Sequence, residues 1–192
     1  MEKKAGDPRL KKALIRKKIL NLLKKFPDRV RKRKSKRIFQ RLIRDRRFQR
    51  ARNIFTYVSL KREVDTRALI AFALSQGKKV FVPCVRKRDK SVTLYRIKDP
   101  SRDLKKGAYN IWEPRPNRCP RGRLRDLNLM IIPGLAFDFR GYRLGRGGGY
   151  FDRFLAQAKG ITRIGLAFKE QCLKAKLPVE AHDVRIHTVI HD

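Results

Sequence analysis

The sequence has few acidic residues, few cysteines and no long apolar run. Seventeen Asp and Glu stand against 52 Lys and Arg, which gives a formal net charge of +35. Cysteines stand at 84, 119 and 172 with no CxxC or other ligand spacing, so we expect reduced thiols. The absence of an 18-residue apolar run excludes a transmembrane helix. The basic N-terminal residues have no apolar segment behind them, so we expect no secretory signal and a cytoplasmic location.

The positive charge is concentrated near the N-terminus. Between Arg9 and Arg52 there are 21 basic residues and two acids, Asp28 and Asp45. Such a field attracts polyanions, which include nucleic acids, phosphates, anionic lipids and polycarboxylates. A solvated basic surface without a specific partner explains the same composition. Charge alone therefore informs about partners and leaves the chemistry open.

Length and composition predict one globular domain. The chain has 192 residues, of which 41% are apolar, enough for a buried core. We find no internal repeat, and the basic N-terminal part carries enough apolar residues to pack on the rest. A single domain over residues 1–192 is therefore expected.

Helical and strand patterns alternate along the chain. A first helix is predicted to begin at Asp7-Pro8, with Leu10 and Leu14 on its apolar stripe, and a second from Asp28 to about Arg47. Further helices are predicted over 66–75 and 152–159, a loop over 98–127, and strands over 54–60, 80–85, 92–97, 129–134, 163–168 and 187–190. This alternation predicts an α/β fold: a three-layer α/β/α domain with a mostly parallel sheet and a basic helical N-terminus.

A glycine-rich segment, 141–149, lies between an apolar strand and a predicted helix. Glycines let backbone N–H groups approach an anion closely, and a helix N-terminus adds the positive end of its dipole. Arg143 and Arg146 supply charged donors that suit phosphate oxygens. The segment has neither the GK[ST] ending of a Walker loop nor the GxGxxG order of a dinucleotide fingerprint. A phosphate-binding loop and a tight or flexible turn both remain compatible with it.

Because acidic residues are scarce, their positions are informative. Asp152 follows the glycine segment, where it could hold a divalent cation beside a phosphate or cap the helix that follows. Asp183 taken alone is explained as a turn residue. Glu63 follows the first strand, where ligand sites of α/β proteins open, but a surface carboxylate paired with an arginine explains it as well.

Together these segments resemble the 5-formyltetrahydrofolate cyclo-ligase family. The most specific match is PGLAFD (133–138) followed by GYRLGRGGGYFDR (141–153). The segments GLAFKEQ (165–171), LP (177–178) and HD (182–183) follow in the family's order and spacing. Upstream, KALIR (12–16), YVSLKREVDT (57–66) and WEP (112–114) resemble other family elements, so the resemblance covers nearly the whole chain.

The resemblance implies a single α/β domain that uses ATP and Mg²⁺ to convert 5-formyltetrahydrofolate to 5,10-methenyltetrahydrofolate. The residues implied for ATP binding are Lys12, Arg16, Arg143, Leu144, Gly145, Arg146, Gly147, Gly148, Gly149, Tyr150 and Phe151. Among them, Arg146 and Tyr150 are implied as catalytic. Asp152 and Asp183 are implied as metal ligands, and Val58, Glu63, Tyr109 and Tyr150 as substrate-binding residues. We expect a monomer.

Three features depart from the family pattern. Gly148 stands where some members carry Lys, so we expect Arg146 to supply more of the charge toward phosphate. Phe151 stands where Tyr is common, which removes a hydroxyl. The basic N-terminus is not part of the pattern, and we expect it to attract polyglutamate tails of the folate or, non-specifically, nucleic acid. The alternative function is a basic nucleic-acid-binding protein on a cyclo-ligase-like fold, and no membrane partner is expected.

Overall fold

The computed structural model describes residues 7–86, 88–107 and 111–192. The strands are β1 (Asn53–Thr56), β2 (Lys79–Arg86), β3 (Ser91–Ile97), β4 (Leu104–Lys106), β5 (Trp112–Pro114), β6 (Leu129–Ile132), β7 (Ala136–Asp138), β8 (Arg143–Leu144), β9 (Thr162–Ala167), β10 (Cys172–Leu173) and β11 (Thr188–His191). The helices are α1 (Pro8–Lys24), α2 (Asp28–Ile43), α3 (Arg46–Arg50), α4 (Arg67–Ser75), α5 (Pro100–Asp103) and α6 (Tyr150–Gln157).

The central sheet has six strands in the order β11-β9-β6-β1-β2-β3. All neighbours in it pair parallel except β2 and β3, which pair antiparallel at one edge. Strand β6 lies between two parallel neighbours and is buried along its whole length, as its apolar sequence predicts. Two small sheets, β10-β7-β8 and β4-β5, flank it. The predicted mostly parallel α/β sheet is confirmed.

Hydrophobic clusters cover both faces of this sheet. Along β6, Leu129 and Ile131 join the cluster built with α1, α2, α3 and α4, whereas Met130 and Ile132 join the cluster built with α6. This division follows from the strand period of two residues, which directs alternate side chains to opposite faces. The three layers are therefore α1–α4, the sheet, and α6.

Short side chains set the helix boundaries of the basic N-terminal region. The carboxylate of Asp7 accepts a hydrogen bond from the N–H of Arg9 at 2.8 Å, which confirms the predicted start of α1. The prediction that the second helix continues to about Arg47 is wrong, because α2 ends at Ile43. Asp45 starts a separate helix, α3, by accepting from the N–H of Arg47 at 2.9 Å.

Two residues predicted on the apolar stripe of α1 are exposed instead. Leu10 is 41% exposed and Leu14 is 68% exposed. Residues two apart on a helix point about 200° away from each other, so both leucines lie opposite Lys12, which is buried. The inward side of the first turns of α1 thus carries cations, and its apolar contact with the core begins at Ile15.

The segment after β1 is shaped by a threonine hydroxyl. The strand ends at Thr56, four residues before the predicted end. The hydroxyl of Thr66 donates to the carbonyl of Tyr57 at 2.8 Å and accepts from the N–H of Ser59 at 3.1 Å. These bonds replace strand pairing and fold the 57–66 segment back against the start of α4.

The prediction of a loop over 98–127 is wrong in part. This region contains α5, β4 and β5, elements of three or four residues that are too short to give a periodic pattern. Asp103 organises the first of them, because its Oδ2 accepts from the N–H groups of Lys98 and Asp99 at 2.7 and 3.0 Å.

Within the described ranges, no helix is long and apolar enough to cross a membrane. Cys84, Cys119 and Cys172 are free thiols, as their scattered positions predict.

Candidate active site at the carboxyl edge of the sheet

A cavity of about 690 Å³ opens where β6 ends, at the carboxyl edge of the parallel strands. This is the edge at which α/β sheets usually hold ligands. Its wall combines the first turns of α1, the turn after β6, the glycine segment with the start of α6, and the segment 180–183. The predicted residues that line it are Lys12, Arg16, Arg143, Leu144, Gly145, Arg146, Gly147, Gly148, Gly149, Tyr150, Phe151, Asp152 and Asp183. The fold therefore brings together residues from three distant parts of the chain.

The glycine segment is anchored by a carbonyl group, which leaves its amide groups available. Arg16 donates from Nε to the carbonyl oxygen of Gly145 at 2.9 Å. In the described chain, the N–H groups of residues 145–149 donate to no backbone acceptor. Gly147 and Gly149 have φ of +100° and +70°, a backbone conformation that L side chains rarely adopt, and Gly149 directly precedes α6. The segment has the properties of an anion-binding loop at a helix N-terminus.

Arg143 is a buried cation paired with Asp152. Its side chain is 2% exposed, and its Nη2 lies 2.9 Å from Oδ1 of Asp152. Its Nη1 donates to the carbonyl oxygen of Val184 at 3.2 Å, whereas its buried Nε has no partner among the described residues. Burial lowers the pKa of Arg143, and the charge of Asp152 opposes that effect. A buried donor without an acceptor in this wall is a polar atom that a ligand can satisfy.

Lys12 links α1 to the C-terminal part of the site. Its Nζ lies 2.6 Å from Oε2 of Glu180 and 2.7 Å from Oδ2 of Asp183, and its side chain is 7% exposed. Burial tends to lower the pKa of Lys12, but the two carboxylates outweigh burial and raise it. Burial likewise tends to raise the pKa of Asp183, and the Lys12 hydrogen bond with other contacts lowers it overall. Asp183 thus lies in an ion-pair network, which sequence reasoning did not predict.

Glu180 is a site residue that sequence reasoning missed. It lies in the same LPVEAHD segment (177–183) as Asp183, and it is one of five glutamates in the chain. The scarcity of acids was therefore a usable signal. Its partner Lys12 is 168 residues away, which local sequence cannot indicate.

Only part of the predicted substrate-binding set is brought to the cavity among the described residues. Glu63 does not line the cavity, but its Oε1 accepts from Nε and Nη2 of Arg146 at 3.3 and 3.2 Å. Val58 is partly buried against the core and does not line the cavity either. Tyr150 lines it. Tyr109 lies outside the described residues.

The departure at Gly148 is coupled to the position of Tyr150. A Cβ atom built on Gly148 would lie 2.6 Å from Cδ2 and Cε2 of the Tyr150 ring. The ring thus occupies the space that a side chain at 148 needs. Phe151, the other departure, packs its ring against Phe55 and Phe154 with centroids 6.2 and 6.4 Å apart.

Asp152 and Asp183 could each offer a carboxylate oxygen to a metal ion, but two carboxylates are not a complete set of metal ligands. In the described part of the chain, no group of three or more His, Cys, Asp or Glu side chains is arranged to hold a metal ion. Asp152 uses Oδ1 for Arg143 and Asp183 uses Oδ2 for Lys12, so one oxygen of each carboxylate is not engaged by its cation. Mg²⁺ commonly takes one or two carboxylates, with waters and substrate phosphates completing its shell. The donor set fits that type of site.

The fold and the cavity define an α/β protein with a glycine-rich loop and a cavity at the carboxyl edge of a mostly parallel sheet. The chain belongs to the 5-formyltetrahydrofolate cyclo-ligase family, whose sequence model matches residues 8–192. It is 35% identical over 145 residues to a 5-formyltetrahydrofolate cyclo-ligase of Haemophilus influenzae, covering 74% of this chain and 76% of that protein. It is 31% identical over 170 residues to the corresponding protein of Mus musculus, covering 83% of each.

A solved structure shows the same architecture. The NMR structure of Aquifex aeolicus 5,10-methenyltetrahydrofolate synthetase matches with a TM-score of 0.81 and 31% sequence identity, covering 93% of this chain and 88% of that one. The family and the fold class predicted from the sequence are thus confirmed.

Proposed function

We propose that this protein converts 5-formyltetrahydrofolate to 5,10-methenyltetrahydrofolate, with ATP cleaved to ADP and phosphate and with Mg²⁺ as the metal. The observation that carries the proposal lies in a cavity of about 690 Å³. Among the described residues, the N–H groups of 145–149 donate to no backbone acceptor, and the neighbouring buried Arg143 has no partner for its Nε. Family membership supplies the substrate class.

In the proposed reaction the γ-phosphoryl group of ATP passes to the formyl oxygen, and ADP leaves. N10 of the folate attacks the activated carbon, the carbon–oxygen bond breaks with release of phosphate, and loss of the N10 proton leaves the methenyl bridge. No side-chain nucleophile is needed. The protein contributes by positioning the reactants and by stabilising the charge that develops during phosphoryl transfer.

The residues proposed to hold ATP divide by their contacts. The N–H groups of 145–149 and the start of α6 hold the phosphates, and Arg143 adds a fixed charge beneath them. Arg16 keeps the loop in place through Gly145, and Lys12 positions Asp183. Leu144 and Phe151 form an apolar part of the cavity wall.

Arg146 and Tyr150 are the proposed catalytic residues. The side chain of Arg146 is 45% exposed and lines the cavity, and Glu63 orients its guanidinium, which is proposed to contact the transferring phosphoryl group. Tyr150 lies at the first position of α6, directly after the glycine segment, and lines the cavity wall. Glu63, Val58, Tyr109 and Tyr150 are the proposed folate-binding residues.

Asp152 and Asp183 are the proposed Mg²⁺ ligands, each through the carboxylate oxygen that its cation does not engage. Mg²⁺ held by these two carboxylates would supply charge neutralisation for the phosphates. Arg143 and Lys12 hold the two carboxylates in position before the metal binds.

The proposal is tested by the near-ultraviolet absorbance of the methenyl product. Purified protein is mixed with 5-formyltetrahydrofolate, ATP and Mg²⁺, and each component is then omitted in turn. Product that requires both ATP and Mg²⁺ is the expected result. If folded protein gives no product under these conditions, the proposed activity is contradicted.

Lys12→Gln is expected to raise the KM for ATP roughly tenfold, since it removes charged hydrogen bonds worth about 1.5–3 kcal/mol each from the Asp183 side of the site. Steady-state kinetics with ATP as the varied substrate measures the effect. Lys11→Gln is the matched control, because Lys11 is the neighbouring lysine on an exposed side of α1. Equal effects of both substitutions would show that net charge matters and the Lys12 contacts do not.

Polyglutamylated folate is the proposed natural form of the substrate. Arg9 lines the cavity with a side chain that is 83% exposed and reaches Glu180 at 3.8 Å, so it can meet an anionic tail at the cavity mouth. We expect a lower KM for pentaglutamyl than for monoglutamyl substrate at low salt, and a smaller difference as salt rises. A KM that is independent of tail length at low salt contradicts this expectation.

A single domain over residues 1–192 acting as a cytoplasmic monomer is also proposed. The two hydrophobic clusters cover the faces of one sheet, and the three cysteines are free, which supports this proposal. Light scattering at micromolar concentration tests the monomer, and a single cooperative unfolding transition tests the single domain.

A further inference from the structure

A second concave surface lies at the opposite edge of the sheet from the candidate active site. It consists of two cavities of about 710 and 340 Å³, which share Asn53 and Lys79. Asn53 and Lys79 are the first residues of β1 and β2, so this surface lies where the parallel strands begin. The candidate active site lies where β6 ends. We call the surface the amino-edge groove; its residues are Gln49, Arg50, Ala51, Arg52, Asn53, Gln76, Gly77, Lys78, Lys79, Phe81, Arg96, Pro120, Arg121, Gly122, Arg123, Asp126 and Asn128.

The amino-edge groove is strongly cationic. Its larger cavity is lined by four cations and, among the described lining residues, by no acid. The smaller cavity adds three arginines and one acid, Asp126, which lies 3.2 Å from Nε of Arg123 and is thereby neutralised. The Nε of Arg96 is buried without a partner in the described chain. The seven cations are Arg50, Arg52, Lys78, Lys79, Arg96, Arg121 and Arg123.

Local structure uses two of these cations, Arg123 in its pair with Asp126 and Lys78 at two helix ends. Helices α3 and α4 end at the groove, and carbonyl groups at a helix C-terminus favour a nearby positive charge. Lys78 meets that need, because its Nζ donates to the carbonyl oxygens of Gln49 and Ala51 at 2.9 and 2.7 Å. Arg50, Arg52, Lys79 and Arg121 have exposed side chains, and no ion pair joins them to a described residue. Their charges are in excess of what the fold uses.

We propose that the amino-edge groove binds single-stranded nucleic acid through its phosphate backbone. Five of its seven cations are arginines, whose planar guanidinium groups match phosphate oxygens in pairs. Of the groove's amide side chains, Asn53, Asn128 and Gln49 already bond the protein backbone, whereas Gln76 makes no side-chain hydrogen bond to a described residue and can bond a sugar or base. Cavities of this size are in the range of small-molecule pockets, so they admit the nucleotide units of a flexible strand rather than a duplex.

A lipid surface matches the groove less well. Membrane-surface binding needs exposed apolar side chains that insert beside the charges. The aromatic residue of the groove, Phe81, is 5% exposed, and the surface is concave. Only the attraction between the groove's cations and anionic headgroups would then bind the protein to a bilayer.

The test compares two variants of the full chain that lose the same number of charges. The groove variant carries Arg50→Gln, Arg52→Gln, Lys79→Gln and Arg121→Gln. The control variant carries Lys105→Gln, Lys159→Gln, Lys174→Gln and Lys176→Gln, four exposed lysines outside the groove. Fluorescence anisotropy measures binding of a labelled RNA strand of about 20 nucleotides over a salt series that includes about 0.15 M.

The groove variant is expected to bind roughly 100-fold more weakly than the unchanged protein at about 0.15 M salt, with a salt slope shallower by about 3. The control variant is expected to stay within about threefold. Cyclo-ligase activity, if present, is expected to be equal in all three proteins and unaffected by saturating RNA, because the two sites lie at opposite edges. Circular dichroism checks folding independently of that activity.

Three results would overturn the proposal. Equal losses in both variants would mean that net charge alone attracts RNA. Absence of RNA binding by the unchanged protein at about 0.15 M salt would show that nucleic acid is not the ligand of the groove. Groove-dependent capture by phosphatidylserine vesicles without RNA binding would assign the surface to a membrane.

Discussion

Asp152→Asn is expected to lower kcat/KM of the proposed cyclo-ligase reaction by about 100- to 1,000-fold. The substitution keeps the size of the side chain and removes the negative charge that is proposed to bind Mg²⁺. It also leaves Arg143, which is 2% exposed, without its ion-pair partner. The loss is measured from the appearance of the methenyl product at saturating Mg²⁺, and a Mg²⁺ titration shows whether the metal requirement rises.

The structural role of Asp152 must be separated from its chemical role. Breaking a buried ion pair costs about 3–5 kcal/mol when one charge is left behind, whereas removing both charges together is often neutral. The double variant Asp152→Asn with Arg143→Met is therefore expected to recover thermal stability relative to the single variant. It is not expected to recover activity, since both the metal ligand and the phosphate-binding cation are gone. Recovery of activity with stability would show that Asp152 serves the fold alone.

The elements of the fold that the sequence predicts are those with strong local signals. Asp7-Pro8 predicts the start of α1, which is confirmed. The apolar run 129–134 predicts a central parallel strand, which is also confirmed, although the strand ends at Ile132. Elements that depend on one short side chain are predicted less well. The separation of α2 from α3 rests on Asp45, and the early end of β1 rests on Thr66. Neither residue changes the periodic pattern around it.

The same distinction applies to the candidate site. The glycine segment could be predicted because glycines permit the backbone conformation that the loop adopts, including the positive φ of Gly147 and Gly149. The partners of its cations could not, since they join residues far apart in sequence. Lys12 contacts Asp183 across 171 residues, and Arg146 contacts Glu63 across 83. The metal-ligand role assigned to Asp152 and Asp183 by resemblance stays a prediction, and the structure adds the cation that each carboxylate pairs with.

Asp138→Ala is expected to destabilise the protein by about 3–5 kcal/mol, which lowers the melting temperature by roughly 10 °C for a chain of this size. The Asp138 side chain is fully buried and accepts from the N–H groups of Arg140, Tyr142 and Leu177, each at 3.0 Å. It also pairs with the guanidinium of Arg140 at 2.8 Å. The substitution leaves three amide donors without their acceptor and removes the carboxylate partner of Arg140, whose Nη2 keeps, within the described chain, only the carbonyl oxygen of Leu177 at 2.8 Å. Urea unfolding at neutral pH measures the loss.

Asp138 also supports the site, because it fixes the turn that leads into β8. Arg143 begins that strand, and the glycine segment follows it. Asp138→Asn tests whether acceptor capacity is what matters: its amide group would face donors from Arg140 and Leu177, so most of the loss is expected to persist. Asp89→Asn is the control, since Asp89 is exposed and pairs with Arg86 at 3.5 Å. An asparagine variant as stable as the unchanged protein would contradict the proposed role.

The pH dependence gives an independent check on Asp138. Burial tends to raise the pKa of Asp138, but the hydrogen bonds from Leu177, Arg140 and Tyr142 outweigh it, so the pKa is lowered overall. A carboxylate with a lowered pKa in the folded state stabilises the protein above its unfolded pKa, which is about 3.9, and this contribution is lost as pH falls through the folded value. The difference in unfolding free energy between the unchanged protein and Asp138→Ala is therefore expected to be constant from neutral pH down to about 4. Below that pH it is expected to narrow. A difference that stays constant at lower pH would mean that Asp138 contributes by packing, without its charge.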